Sequence, residues 1–478
     1  MKLEKCVTID NVNRNLLNIR YAVRGPIVDR ALQIERELAK GASKPFNRVV
    51  RANIGDCHAL GQKPITFIRQ VLALVSCPQL MNSPDLPADV KDRATEILQD
   101  CTQGSVGAYS PSAGLMIVRR HIVEYLEARD GVSASLEDIY LGSGASDLIK
   151  SVLTLFSGVV DGKPPAVMIP IPQYPLFSGT LAELGINQAN YYLDEEDNWA
   201  LQVEELERSY QEASEHSRVV ALVVINPGNP TGQVLSRQNI EEIIIFAHKH
   251  NLFILADEVY QENIISKPFY SFKKVMHELG APYSDMELAS FVTCSKGWAA
   301  ECGLRGAFLE LTRLSPPVRS VFAASRGVMQ CPTVLGQCVL DCIVRPPRRG
   351  ETSFAQWREE REKIARLLAE RASTAYSTFN DIPGYSCNPI EGSMFAFPQV
   401  EIPALAQEEA ADLDMSPDEF YCLRLLEETG VCVVPGTGFG QRPGTFHFRT
   451  TILHSREEFQ HMMESITRFH NNFLNRFS

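Results

Sequence analysis

Residues 219–260 read VVALVVINPGNPTGQVLSRQNIEEIIIFAHKHNLFILADEVY. Val219–Ile225 is an unbroken apolar run, the pattern of a strand covered on both faces. A turn-rich segment follows, then Ser236 as a helix N-cap and an apolar-periodic pattern to His250. Leu252–Ala256 is a second buried strand. Strand, helix and strand in that order predict a βαβ unit and a largely parallel sheet.

The same alternation extends in both directions. Asp138–Ser143 reads as a strand entering a Gly144-Ala145-Ser146 turn, and Asp147–Phe156 as the next helix. Ala166–Pro170, Ser290–Cys294 and Ala307–Leu311 are further strands. Pro346-Pro-Arg-Arg-Gly350 is a linker, and Phe354–Thr378 a long charged amphipathic helix that opens a second domain. Glu409–Glu419 is acidic and predicts a surface loop plus a helix start. The fold class is α/β, and 478 residues are too many for one ordinary core.

Composition narrows the function. A hydrophobic content of 45% supplies a core, and a net charge of −12 argues against nucleic-acid or anionic-membrane partners. The twelve cysteines show no C-x-x-C pair, and no Cys/His spacing suits zinc, so they read as reduced, buried thiols with no metal site. Met1–Asp10 has no apolar signal region, and the most apolar stretch, Val321–Val344, is broken by Arg326 and Asp341. These features predict a cytoplasmic protein, a mitochondrial form remaining open.

In parallel α/β sheets, ligands gather at the carboxyl ends of the strands. The polar residues there are Gly144-Ala145-Ser146, Asn229, Asp257, Tyr260 and Ser295-Lys296. Together they supply what an aldehyde-bearing pyridine phosphate needs: an anion site at a helix start, a carboxylate for the ring nitrogen, donors for the ring hydroxyl and an amine.

At this point the chain resembles the class I and II aminotransferases of pyridoxal-phosphate fold type I. Asn226-Pro-Gly-Asn-Pro-Thr-Gly232, Asp257-Glu-Val-Tyr260 and Thr293-Cys-Ser-Lys-Gly297 follow the family pattern in order. Tyr21-Ala-Val-Arg-Gly-Pro-Ile27, Arg51-Ala-Asn-Ile-Gly-Asp56, Pro64–Phe67, Glu301-Cys-Gly303, Leu423–Gly430 and Val433-Val-Pro-Gly436 are similar to the alanine-specific branch found in animals.

The resemblance implies a large central sheet domain at 71–345 that binds pyridoxal 5'-phosphate. A smaller α+β domain would come from 1–70, with its N-terminal arm, and 346–478. It implies Lys296, Asp257 and Tyr260 as catalytic residues. Lys296 forms the imine and later shuttles the proton between Cα and C4′, and Asp257 pairs with the ring nitrogen. Asn229 and Tyr260 donate to the phenolic oxygen. The phosphate falls to Gly144, Ala145, Ser146, Ser295 and Arg305, with Thr293 offering a further hydroxyl. Tyr109 would reach the phosphate of a neighbouring subunit, implying a homodimer. Tyr174 would stack on the ring, Arg449 and Asn229 would meet the substrate, and Gly55 would let the backbone approach it.

The implied reaction is reversible transfer from L-alanine to 2-oxoglutarate, giving pyruvate and L-glutamate by a ping-pong cycle. Small amino acids and 2-oxo acids are the partners. Open alternatives are another transaminase (glutamate–glyoxylate or aromatic), a same-fold lyase resembling aminocyclopropane-carboxylate synthase, and a non-catalytic cofactor-binding regulator. One departure stands out: Gly297-Trp-Ala-Ala-Glu301 replaces the Gly-Tyr-Met-Gly-Glu usual in the alanine branch. His248 and His250 read as solvated, and Arg358–Arg361 as an exposed helix face.

Overall fold

The computed structural model describes residues 5–19, 21 and 25–477. The middle of the Tyr21–Ile27 stretch and the start of Met1–Asp10 therefore lie outside the described residues. Seven strands form the main sheet: β1 (Ile139–Gly142), β2 (Pro165–Ile171), β3 (Asn187–Tyr192), β4 (Arg218–Ile225), β5 (Phe253–Asp257), β6 (Leu288–Thr293) and β7 (Ala307–Thr312). Their order is β1-β7-β6-β5-β4-β2-β3, and only β7 runs antiparallel to its neighbours.

That one reversed strand positions the site. The carboxyl ends of β1, β4, β5 and β6 share an edge, and β7 begins there, with Ala307 opposite both Gly142 and Thr293. Residues just before β7 therefore join residues just after the other strands.

The central strands are apolar because helices cover both faces. Leu222, Val224 and Ile254 pack with α3 (Arg237–Lys249) on one side. Val223, Leu255 and Phe291 pack with α2 (Ala145–Thr154) on the other. Ser236 caps α3 as expected, its hydroxyl accepting from the Asn239 N–H at 3.1 Å. The sequence reading passed over β3, an edge strand reading NQANYY whose polar side chains alternate into solvent.

A separate apolar cluster joins α1 (Pro26–Ala39), Val50 and Ala52 to side chains from Leu368 to Phe477. The long helix α4 (Phe354–Asp381) spans two clusters: Trp357 packs edge-on against Trp298 at 5.9 Å, whereas Leu368 and Phe379 belong to the other core.

Two expectations are corrected. Glu409–Asp412 is the end of helix Ala404–Asp412, held by buried Ala406 and Ala410, so the loop is only 413–416; a Ser416/Glu419 capping box then starts the next helix. His250 is not solvated: it pairs with Glu207 at 3.0 Å and lies on the Tyr210 ring at 3.9 Å. The described cysteines are all free thiols, and eight of the twelve are buried. No helix among the described residues is long and apolar enough to cross a membrane.

A buried ion pair ties the helix Phe272–Leu279 to the sheet, Lys273 Nζ to Glu310 Oε1 at 2.5 Å, with side chains 9% and 1% exposed. Burial raises the Glu310 carboxyl above its ordinary range, and its second oxygen has no partner. Lys273→Met should therefore cost about 3–5 kcal/mol, read as a lower denaturant midpoint, and adding Glu310→Gln should recover most of it. An unchanged midpoint in the single variant would count against this account.

Candidate active site

Asp257 is the last residue of β5, Asn229 follows β4, Lys296 follows β6, and Ala145 and Ser146 follow β1. Together with Tyr174, Tyr260, Thr293, Ser295, Arg305, Gly55 and Arg449 they line one cavity of about 610 Å³. Thus all but two of the sequence-predicted residues face a single space. Gly144 lies beneath its wall. Tyr109 is not on it, standing 75% exposed elsewhere in the chain.

At one end the site is built for an anion. Gly144 caps α2 with φ +95°, and a Cβ there would overlap the Arg305 guanidinium, so only glycine fits. Arg305 Nη1 donates to Cys302 O at 3.0 Å and approaches Ser295 Oγ at 3.4 Å. Ala145 and Ser146 at the start of α2 line the same cavity as this guanidinium, so the helix N-terminus and a cation face one space. Asp147 in the same helix turn does not oppose an anion, because Arg326 pairs with it at 2.7 Å. Thr293 Oγ1 donates to Gly306 O at 2.8 Å and accepts from the Ser295 N–H at 3.2 Å, so its hydroxyl orients Ser295 rather than offering a free donor.

In the middle, Asp257 is buried, and among the described residues its carboxyl group accepts only one long hydrogen bond, from the Val259 N–H at 3.4 Å. Burial pushes its carboxyl up to about 7, against the pull of that N–H and of the Lys296 charge. Lys296 Nζ donates to Gly55 O at 2.9 Å and sits 5.6 Å from the Tyr260 ring centre. Asn229 Nδ2 donates to the Tyr260 hydroxyl at 3.4 Å, placing both polar groups side by side. Gly55 has to be small, since a Cβ would come within 2.5 Å of the Phe395 ring.

At the far end lies Arg449, only 2% exposed. Its Nη1 donates to Asn229 Oδ1 and its Nη2 to Asn53 O, each at 3.0 Å, while Nε is unpartnered. Phe395 and Phe439 flank the guanidinium at 4.1 and 4.7 Å. Burial lowers its pKa to about 10, partly offset by Tyr260, Tyr174 and Tyr21. A buried guanidinium with an unpartnered Nε has the charge and the donor geometry to pair with a carboxylate.

Tyr174, half-buried on the same wall, shares a hydrogen bond with the Tyr21 hydroxyl at 2.8 Å. Sequence reasoning gave no role to Asn53, Phe395, Phe439 or Tyr21. Asn53 acts through its backbone carbonyl, and the two phenylalanines look in sequence like ordinary core residues. Trp298 does not line the cavity: it packs behind the lysine loop on Trp357, under the Arg361 guanidinium. The departure at 297–301 therefore alters support for the loop, not the pocket wall.

The residues fit a pyridine phosphate bearing an aldehyde. Asp257 is a buried carboxyl with no cation in hydrogen-bonding contact among the described residues, and Ala145, Ser146, Ser295 and Arg305 line the cavity where α2 begins, which suits an anion.

A family model, aminotransferase class I and II, matches residues 78–466. Alanine aminotransferase 1 of Homo sapiens is 50% identical over 99% of this chain and 96% of its own length. Alanine aminotransferase 2 of Xenopus laevis is 48% identical over 99% of this chain and 88% of its own. Among solved structures, the alanine aminotransferase of Pyrococcus furiosus superposes with a TM-score of 0.75 at 21% identity, covering 96% of this chain and all of that one.

The raised Asp257 carboxyl has a stability consequence. In the ligand-free protein the folded state holds this proton up to about pH 7, whereas the unfolded chain releases it near pH 4, so stability falls as pH rises between the two. Asp257→Asn should remove that component, of order 4 kcal/mol at most. Denaturant midpoints at about pH 4.5 and about pH 8 should converge more closely in the variant than in wild type; equal losses would contradict the assignment.

Proposed function

Since this chain belongs to the class I and II aminotransferases, we propose that it reversibly transfers the amino group of L-alanine to 2-oxoglutarate, yielding pyruvate and L-glutamate, with pyridoxal 5'-phosphate carried on Lys296. The observation that carries the choice of donor is the full-length similarity to alanine aminotransferases. When bound, the cofactor supplies an aldehyde that condenses with amines and a ring that accepts the electron pair of the broken Cα–H bond.

The chain's own residues do the rest. The α2 N-terminus, Ser146, Ser295 and Arg305 hold the phosphate. Asp257, ionised once a cation stands beside it, keeps the ring nitrogen protonated. Asn229 and Tyr260 donate to the ring oxygen, and Tyr174 supports the ring face. Arg449 grips the substrate α-carboxylate with the donors that Asn53 and Asn229 leave free. That grip would orient the bonds at the substrate Cα and so favour loss of its proton over loss of the carboxylate. The Lys296 amine would hold the cofactor and, once freed, would serve as the base that takes the substrate Cα proton and the acid that gives it back. The second half-reaction runs the same contacts in reverse.

We further place the exposed Tyr109 at the phosphate site of a second copy in a homodimer, and the protein in the cytosol. The compartment is tested by fractionation, since a 44% identical relative in Dictyostelium discoideum is named as mitochondrial.

Purified holoenzyme given alanine and 2-oxoglutarate should form pyruvate, detected by coupled reduction to lactate. Borohydride should fix the cofactor on the peptide containing Lys296. Lys296→Ala should abolish that adduct and lower turnover by about 10²–10⁴-fold. A glyoxylate or aromatic preference in a substrate panel would replace alanine as donor, and an adduct on another lysine would overturn the site.

A further inference from the structure

In the function proposed above, the Lys296 amine carries the cofactor, is released from it and then works at the substrate. Its side chain must therefore stay free while the backbone it springs from stays fixed. The sheet does not fix that backbone: β6 ends at Thr293, and Lys296 lies three residues beyond, outside any strand or helix. A displacement of about 1 Å at a reacting group can cost about 10²-fold in rate, so another support is needed.

Among the described residues, one side chain hydrogen-bonds the Lys296–Gly297 peptide. Asn263 is buried, 5% exposed, and its Oδ1 accepts from the Gly297 N–H at 2.7 Å. That N–H lies in the same planar unit as the Lys296 Cα and carbonyl, so pinning it restrains the atom from which the lysine side chain leaves. On the other side of the peptide, the Lys296 carbonyl accepts only a long bond from the Ala300 N–H, at 3.4 Å. The contact with Asn263 is the stronger of the two. Lost in a buried place, it would leave the N–H without water to replace it.

Asn263 is itself anchored to the turn that follows Asp257. Its N–H donates to the Tyr260 carbonyl at 2.8 Å. The turn and the lysine loop touch, since a Cβ on Gly297 would stand 2.9 Å from that of Glu262. The turn is braced from behind: Arg129 Nη1 donates to Gln261 Oε1 at 2.7 Å, and Arg361 Nη2 to Glu262 Oε2 at 3.0 Å. Asp257 and Tyr260 thus come from one loop and Lys296 from another, and the Asn263 amide joins them. Asn263 does not line the cavity.

Resting on the assignment of the cofactor to Lys296, we infer that Asn263 is a positioning residue for the lysine. It touches neither cofactor nor substrate, and it holds the Lys296 peptide where the amine meets the cofactor aldehyde.

The test is a competition in the holoenzyme. Pyridoxine 5'-phosphate has the phosphate and the ring but an alcohol in place of the aldehyde, so it cannot join Lys296. At equilibrium with both compounds, the ratio of aldehyde to alcohol bound reads the lysine link alone, because the other contacts are shared and any general loosening of the fold cancels. Asn263→Leu, similar in shape but without an acceptor, should lower this ratio about 10–100-fold. Asn263→Asp, which keeps an acceptor, should recover part of it. Asn263→Ala reads the same loss if the leucine variant does not fold. The maximal rate of the alanine half-reaction per bound cofactor should fall about 10–100-fold with KM for alanine nearly unchanged, since Arg449 is untouched. A ratio within about twofold of wild type in the leucine or alanine variant, with borohydride still fixing the cofactor on Lys296, overturns the proposal alone. An adduct on another lysine overturns the reading of Lys296 and this proposal with it.

Discussion

A carboxylate buried at the end of a strand, with one long hydrogen bond and, among the described residues, no cation in hydrogen-bonding contact, is the constraint on which this structure turns. Asp257 can sit there only because β5 is covered on both faces and ends at the ligand edge of the sheet. Left alone, the group answers burial by keeping its proton. A protonated ring nitrogen removes that penalty, so folding and cofactor capture are thermodynamically linked. Arg449 mirrors it with the opposite sign: a guanidinium flanked by two phenyl rings, held by Asn229 and Asn53, with donors to spare.

Between these two charges the protein must hold an amine that moves. Lys296 is tied to the carbonyl of Gly55, and Arg449 to the carbonyl of Asn53, two residues earlier on the same segment. The 50–57 chain thus reports on both reacting ends. Val50, Ala52 and Cys57 of this segment pack with side chains from Leu368 to Phe477, so one apolar cluster supports the carbonyls that hold both the lysine and Arg449.

Much of this was legible in the sequence. Unbroken apolar runs at Val219–Ile225 and Leu252–Ala256 are what strands covered on both faces require, and the polar residues after them sit where ligands gather. The edge strand Asn187–Tyr192 was not legible, because half of it faces water and no apolar run marks it. Nor was the orientation of β7: an apolar run says nothing of direction, yet it is the reversal that brings Arg305 beside Gly144 at the start of α2. Contacts made by backbone carbonyls, as at Asn53 and Gly55, leave no trace in side-chain chemistry. Cation–π partners such as Phe395 and Phe439 look like any buried phenylalanine until the arginine between them is placed. The acidic run at 409–412 was misread because charge at a helix surface resembles a loop when the buried alanines beneath it go unnoticed.

The central claim is that this set of residues moves an amino group and leaves it on the enzyme between two half-reactions. Holoenzyme mixed with L-alanine and no acceptor should release about one pyruvate per chain and then stop, and 2-oxoglutarate added afterwards should restart it with one glutamate formed. Pyruvate that continues to accumulate without an acceptor, or none at all from alanine, would contradict the account.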